Sequence, residues 1–135
     1  MKPNILIPII AIILFFTNNP DSLSQSPNTV PSSITTAFRN GDAQQLSDYL
    51  NSTVELVIID KEDTYSKTQA QTILKDFFSN HKPTQFSIVH NGGKEGAQYA
   101  ICNLTTVNGM FRVYFLFKNL GSASFIHQLR IETEE

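Results

Sequence analysis

The residues able to do acid–base chemistry are His90 and His127, and an aspartate–tyrosine pair, Asp60 and Tyr65. An imidazole is the usual general base near neutral pH. A carboxylate base facing a hydroxyl donor suits proton transfer next to a carbonyl, the chemistry of a cofactor-free isomerase, cyclase or dehydratase. Tyr49, Tyr65 and Tyr99 could supply that hydroxyl, with Asp60 or His127 as the base. The only cysteine is Cys102, so no intramolecular disulfide forms. A catalytic thiol needs an electropositive, accessible setting. A lone cysteine on an apolar strand face reads instead as a small buried hydrophobe. Three scattered histidines without paired carboxylates lack metal-ligand spacing. No phosphate loop, dinucleotide glycine motif or nucleophile elbow is present, because Gly92-Gly93-Lys94-Glu95-Gly96 lies between two strands. Neither metal nor cofactor is therefore expected.

The element that must position these groups is a hairpin from Gln98 to Lys118, closed by Asn108-Gly109, a pair that favours tight two-residue turns. Closure there sets Leu104 opposite Val113, Cys102 opposite Phe115 and Ala100 opposite Phe117. Alternation puts Ala100, Cys102, Leu104, Phe111, Val113, Phe115 and Phe117 on one face. Tyr99, Ile101, Asn103, Thr105, Arg112, Tyr114 and Leu116 take the other. A preceding strand, Gln85–Asn91, turns Phe86, Ile88 and His90 inward. Gly92–Gly96 forms the turn after it. Gly121-Ser122 leads to a last strand, Ser124–Glu132, with Phe125, His127, Leu129 and Ile131 inward. His90 and His127 then sit three strands apart, roughly 14 Å. Each is read as a pocket-rim or core histidine, without its partner.

Upstream, Pro31-Ser32-Ser33 starts a helix with Ile34, Ala37 and Phe38 as its stripe, and Asn40-Gly41 ends it. Asp42 caps a second helix carrying Ala43, Leu46, Tyr49 and Leu50. Val54–Asp60 is a β-branched strand, Lys61-Glu62-Asp63 a charged turn, and Thr64-Tyr65 a returning stub. Ser66 to Gln69 has the capping-box form and opens the main helix, whose stripe is Ala70, Ile73, Leu74, Phe77 and Phe78. His81 reads as a solvated last-turn residue suited to the helix dipole.

The chain has 135 residues and a net charge of −2. No basic patch points to nucleic acid. Lys2 precedes an apolar run, Ile5–Phe16, shorter than the ~20 residues of a membrane span. Ser22-Leu23-Ser24 follows with small residues at cleavage positions. Residues 1–24 read as a signal peptide and residues 25–135 as one exported domain, periplasmic or secreted, with Gln25–Val30 a polar leader and no membrane span. An uncleaved anchor is the alternative.

Helices clustered ahead of four antiparallel strands indicate an α+β domain with its helices on one face of the sheet. The pattern resembles the cone-shaped nuclear-transport-factor-2-like, or cystatin-like, fold: a curved antiparallel sheet with N-terminal helices on its concave face. More closely, it resembles a family of small secreted Bacteroidetes proteins, domain of unknown function 4783. Asn40-Gly41-Asp42-Ala43, Tyr65-Ser66-Lys67-Thr68-Gln69-Ala70, Phe77-Phe78, Asn108-Gly109 and Leu129-Arg130-Ile131-Glu132 carry the likeness. It implies fold and export and brings no activity. Cys102 departs from it, where glycine is expected.

Asp60, Tyr65, His90, His127 and Cys102 are the pocket candidates. The outer face is the more informative surface. Tyr99, Ile101, Met110, Arg112, Tyr114 and Leu116 share it, and aromatics with Met and Arg are interface-like. The resemblance implies pairing through such a face. The leading expectation is a non-enzymatic module that binds a small apolar ligand in the cone, a second copy or an envelope protein on the sheet face, or both.

Overall fold

Pro31 and Gly41 bracket the first helix of the computed structural model, which describes residues 30–120 and 123–134. The expected signal peptide, most of the expected leader and the Gly121-Ser122 turn lie outside the described residues. Helix α1 runs Ser32–Asn40 and ends where Gly41 takes a left-handed conformation at φ 65°. Asp42 accepts a hydrogen bond from the Gln45 amide (3.0 Å) and opens α2, Ala43–Ser47. That helix is shorter than its apolar spacing predicts. Leu50 instead begins strand β1, Leu50–Ile58, after the Tyr49 carbonyl accepts from the Ile126 amide (2.7 Å).

The turn after β1 is also relocated. Ile58 pairs with Lys61, so Ile59-Asp60 is the turn, and Lys61, Glu62 and Asp63 belong to β2, Lys61–Ser66. Ile59 has a φ of 57° while its amide donates to the Ile131 carbonyl (2.7 Å). β2 is an edge strand, and its charges discourage pairing with another chain. The capping box at Ser66 forms as the sequence predicts and starts α3, Lys67–Asn80, which buries Ala70, Leu74, Phe77 and Phe78.

Strands β3 (Pro83–Lys94), β4 (Ala97–Thr106), β5 (Gly109–Leu120) and β6 (Ala123–Thr133) complete one sheet, ordered β2-β1-β6-β5-β4-β3. Every pair is antiparallel except β1 with β6. The β3–β4 turn is Glu95-Gly96, because pairing continues to Lys94 with Ala97.

The central hairpin closes at Val107-Asn108, not Asn108-Gly109. Thr106 pairs with Gly109, Leu104 with Phe111, Cys102 with Val113 and Ala100 with Phe115. The Thr106 hydroxyl accepts from the Asn108 amide (3.0 Å) and donates to the Gly109 carbonyl (2.8 Å), so it organises the turn. The Asn108 side chain donates to the Asn80 carbonyl (2.6 Å), and the Val107 amide to the Lys82 carbonyl (2.9 Å). The tip is thereby tied to the end of α3. The pairing moves by two residues, an even step, so every side chain keeps its predicted face.

The helices cover the inner face, and their aromatics fill it. Phe38 stacks on Phe86 at 4.7 Å and meets Phe78 and Phe115 edge-on at 6.2 and 5.8 Å. Phe77 meets Phe111 edge-on at 5.1 Å. This packing occupies the interior where an apolar ligand was expected.

Candidate functional site

Neither His90 nor His127 faces inward, and one kind of feature accounts for both. In β3, Ile88 pairs with Cys102 and His90 with Ile101, which leaves Val89 as an extra residue. This β-bulge changes the phase of the strand. His90 therefore joins Ile101 on the outer face, exposed, with its Nε2 2.9 Å from the Tyr99 hydroxyl. In β6, Leu116 of β5 pairs with Gln128 but Phe117 pairs with Ile126, so His127 is the extra residue. Ile126 takes the buried place expected of its neighbours Phe125 and His127.

His127 lines a hollow of about 300 Å³ with outer-face residues Glu55, Leu116, Lys118 and Gln128. Gln128 donates to the Glu55 carboxylate (2.7 Å). The His127 Nε2 is buried without a hydrogen-bond partner. Burial first, and the Lys118 charge second, hold its pKa below the ordinary 6.5. The folded state thus disfavours the proton that the unfolded chain accepts. Stability from this group is present above pH 6.5 and is lost as pH falls below it. An NMR titration should place the His127 midpoint below that of an unstructured histidine, and His127→Gln should flatten the acid limb of stability. A midpoint at or above 6.5 would contradict the assignment.

Cys102 is fully buried beneath the helices between Ala100 and Leu104, and burial pushes its thiol up to about 12. A maleimide at pH 8 is expected to leave it unlabelled in the native protein and to label it in denaturant. Rapid native labelling would show an open core. Asp60 is exposed in the β1–β2 turn, and Tyr65 is half-buried against the core. They line neighbouring hollows and not one common space. Tyr49 is spent on a hydrogen bond with the Ser33 hydroxyl. No base and hydroxyl from the predicted set converge inside the cone.

His81 was missed as a site residue. It is half-buried, stacked on Phe77 at 4.6 Å and edge-on to Phe111 at 5.0 Å. Its Nδ1 lies 3.1 Å from the Phe77 carbonyl. Its spacing of four from Phe77, on the buried stripe of α3, was the available signal. Among the described residues no three His, Cys, Asp or Glu side chains are grouped to hold a metal ion. No helix there is long and apolar enough to cross a membrane.

The outer face carries a half-buried cluster. Tyr99 and Tyr114 stack with ring centres 6.3 Å apart, beside Ile101 and Leu116. Met110 is 50% exposed at the hairpin tip. Arg112 pairs with Glu134 (3.0 Å) and donates to the Asn103 side chain (3.2 Å), and Arg130 pairs with Glu132 (3.0 Å). Opposite charges thus border an aromatic centre.

The family model described as Domain of unknown function (DUF4783) matches residues 31–132. The chain belongs to this family. A DUF4783 family protein from Bacteroides ovatus is similar in structure, with a TM-score of 0.76 and 31% identity over 80% of this chain and 98% of the other. One from Bacteroides uniformis gives 0.75 and 36% over 79% and 99%. An NTF2-like protein of unknown function from Shewanella baltica gives 0.61 at 11% identity, over 77% of this chain and 87% of that one, which speaks to the fold alone. No curated protein sequence matches the chain. For this DUF4783 protein the expected nuclear-transport-factor-2-like fold is therefore the observed one.

Proposed function

We propose that this DUF4783 protein is an exported, non-enzymatic interaction module that pairs with a second copy through the outer face of its sheet. One observation carries this reading: the Tyr99–Tyr114 stack, half-buried on that face beside Ile101 and Leu116. Antiparallel sheets that meet water usually show it a polar surface. A two-fold interface must also be self-complementary. The Arg112–Glu134 and Arg130–Glu132 pairs supply both signs of charge around the stack. Export is supported by Lys2, the Ile5–Phe16 run and Ser22-Leu23-Ser24.

The test is light scattering on Gln25–Glu135 and on its Tyr114→Glu variant. The wild type should have twice the monomer mass, and the variant should be a folded monomer. A central aromatic typically contributes 2 kcal/mol or more to an interface, so dissociation should rise by at least about 30-fold. A wild-type monomer at all concentrations would defeat the dimer. An envelope protein would then be the partner to seek on the same face.

A further inference from the structure

A second surface, independent of the sheet face, has the composition of a small-molecule site. Between the β1–β2 turn and the end of α3 lies a cavity of about 300 Å³. Its floor is apolar: Ile58, Ile59, Ile73 and Phe77. That size and lining fall at the small end of ligand pockets.

The polar rim has one character. Asp60 and Asp76 bring carboxylates from opposite sides, one from the turn and one from α3. One N–H of the Asn80 side chain goes to the Asp76 backbone carbonyl (3.0 Å), and its side-chain oxygen remains an acceptor. A carbonyl can only accept, so the Nδ1 of His81, 3.1 Å from the Phe77 carbonyl, carries the hydrogen. In the neutral ring the Nε2 is then a lone-pair acceptor, and the rings of Phe77 and Phe111 hold it in place. Four rim groups can accept hydrogen bonds, and the donors left facing them are the Lys61 ammonium and the second N–H of the Asn80 side chain.

The geometry points to a binding site for a small organic ammonium: an apolar body on the isoleucine–phenylalanine floor and a cationic head among Asp60, Asp76, Asn80 and His81. A carboxylate ligand is disfavoured by the same rim, since it would meet acceptors on most sides.

The test is an NMR titration of the isotope-labelled protein at pH 7 with n-hexylammonium, n-hexanol and n-hexanoate. Hexylammonium should give saturable shifts confined to Ile58–Lys61 and Ile73–His81, and should bind about tenfold more tightly than hexanol, the scale of one charge-assisted hydrogen bond. Hexanoate should bind least. Asp76→Asn, at an exposed position, should weaken hexylammonium about tenfold and leave hexanol unchanged. Equal affinity for the three probes, no saturable shift, or shifts centred elsewhere would each overturn the proposal.

Discussion

Phe38→Ala is expected to cost about 3–5 kcal/mol of folding stability. Phe38 is completely buried. It joins three parts of the molecule at once, stacking on Phe86 of β3 while its edge contacts reach Phe78 of α3 and Phe115 of β5. Truncation removes the transfer energy of the ring and leaves a cavity walled by other rings, which cannot all move inward. A domain of this size holds only about 5–15 kcal/mol in total. Urea unfolding should therefore show a midpoint shift at constant slope, and the melting temperature should fall by on the order of 15 °C. A loss under about 1 kcal/mol would mean that α1 is not seated on the sheet as described.

Among the described glycines, Gly93→Ala should be the most damaging alanine substitution, at about 2–3 kcal/mol. Gly93 sits at φ 136°, where side chains are rarely tolerated. An added Cβ would lie 2.4 Å from the Ala97 carbonyl oxygen and 2.6 Å from the Gln98 Cα. Both obstacles are backbone, so no side-chain rotation relieves them. Gly96→Ala is the control: its φ is 85°, but nothing lies within 4 Å of the new atom. It should lose only the conformational cost, about 1 kcal/mol. Hydrogen exchange should show protection lost in Asn91–Tyr99 for the first variant and largely kept for the second. Equal effects would mean that the close approach of β4 to Gly93 is absent in solution.

The faces of the central hairpin were legible in its alternation even though its turn was misplaced. Asn108-Gly109 favours a tight turn, but the Thr106 hydroxyl and the contacts of Asn108 and Val107 with Asn80 and Lys82 hold the closure one residue earlier. Because the slip is even, Cys102, Phe111 and Phe115 remained inside and Tyr99, Tyr114 and Leu116 outside. The helix caps at Gly41, Asp42 and Ser66 were equally legible, since each is a local contact between near neighbours.

Both histidines were misplaced for one reason. Alternation assumes an unbroken strand, and a bulge inverts everything beyond it. In β6 the hint was present: Ile126 and Leu129 are both apolar and three apart, which no regular strand can bury together. In β3 the bulge falls at Val89, between Ile88 and His90, and nothing local marks it. The acceptor-lined cavity was half legible. Asp60 stands out in the sequence at the end of its strand, but Asp76, Asn80 and His81 reach the cavity through the packing of α3 against β1, a contact between distant parts of the chain. The filled cone follows from the number of inward phenylalanines, though their mutual contacts had to be seen.

In the proposed function, the outer face of the sheet is a self-association surface. A dilution series of two-dimensional amide NMR spectra on Gln25–Glu135 tests it most directly, because it locates the contact as well as detecting it. Concentration-dependent shifts should appear at Tyr99, Ile101, Arg112, Tyr114 and Leu116 on β4 and β5, and the helical side should stay unchanged. Spectra independent of concentration at a monomer's tumbling time, or shifts confined to the β3 edge or the helices, would contradict the account.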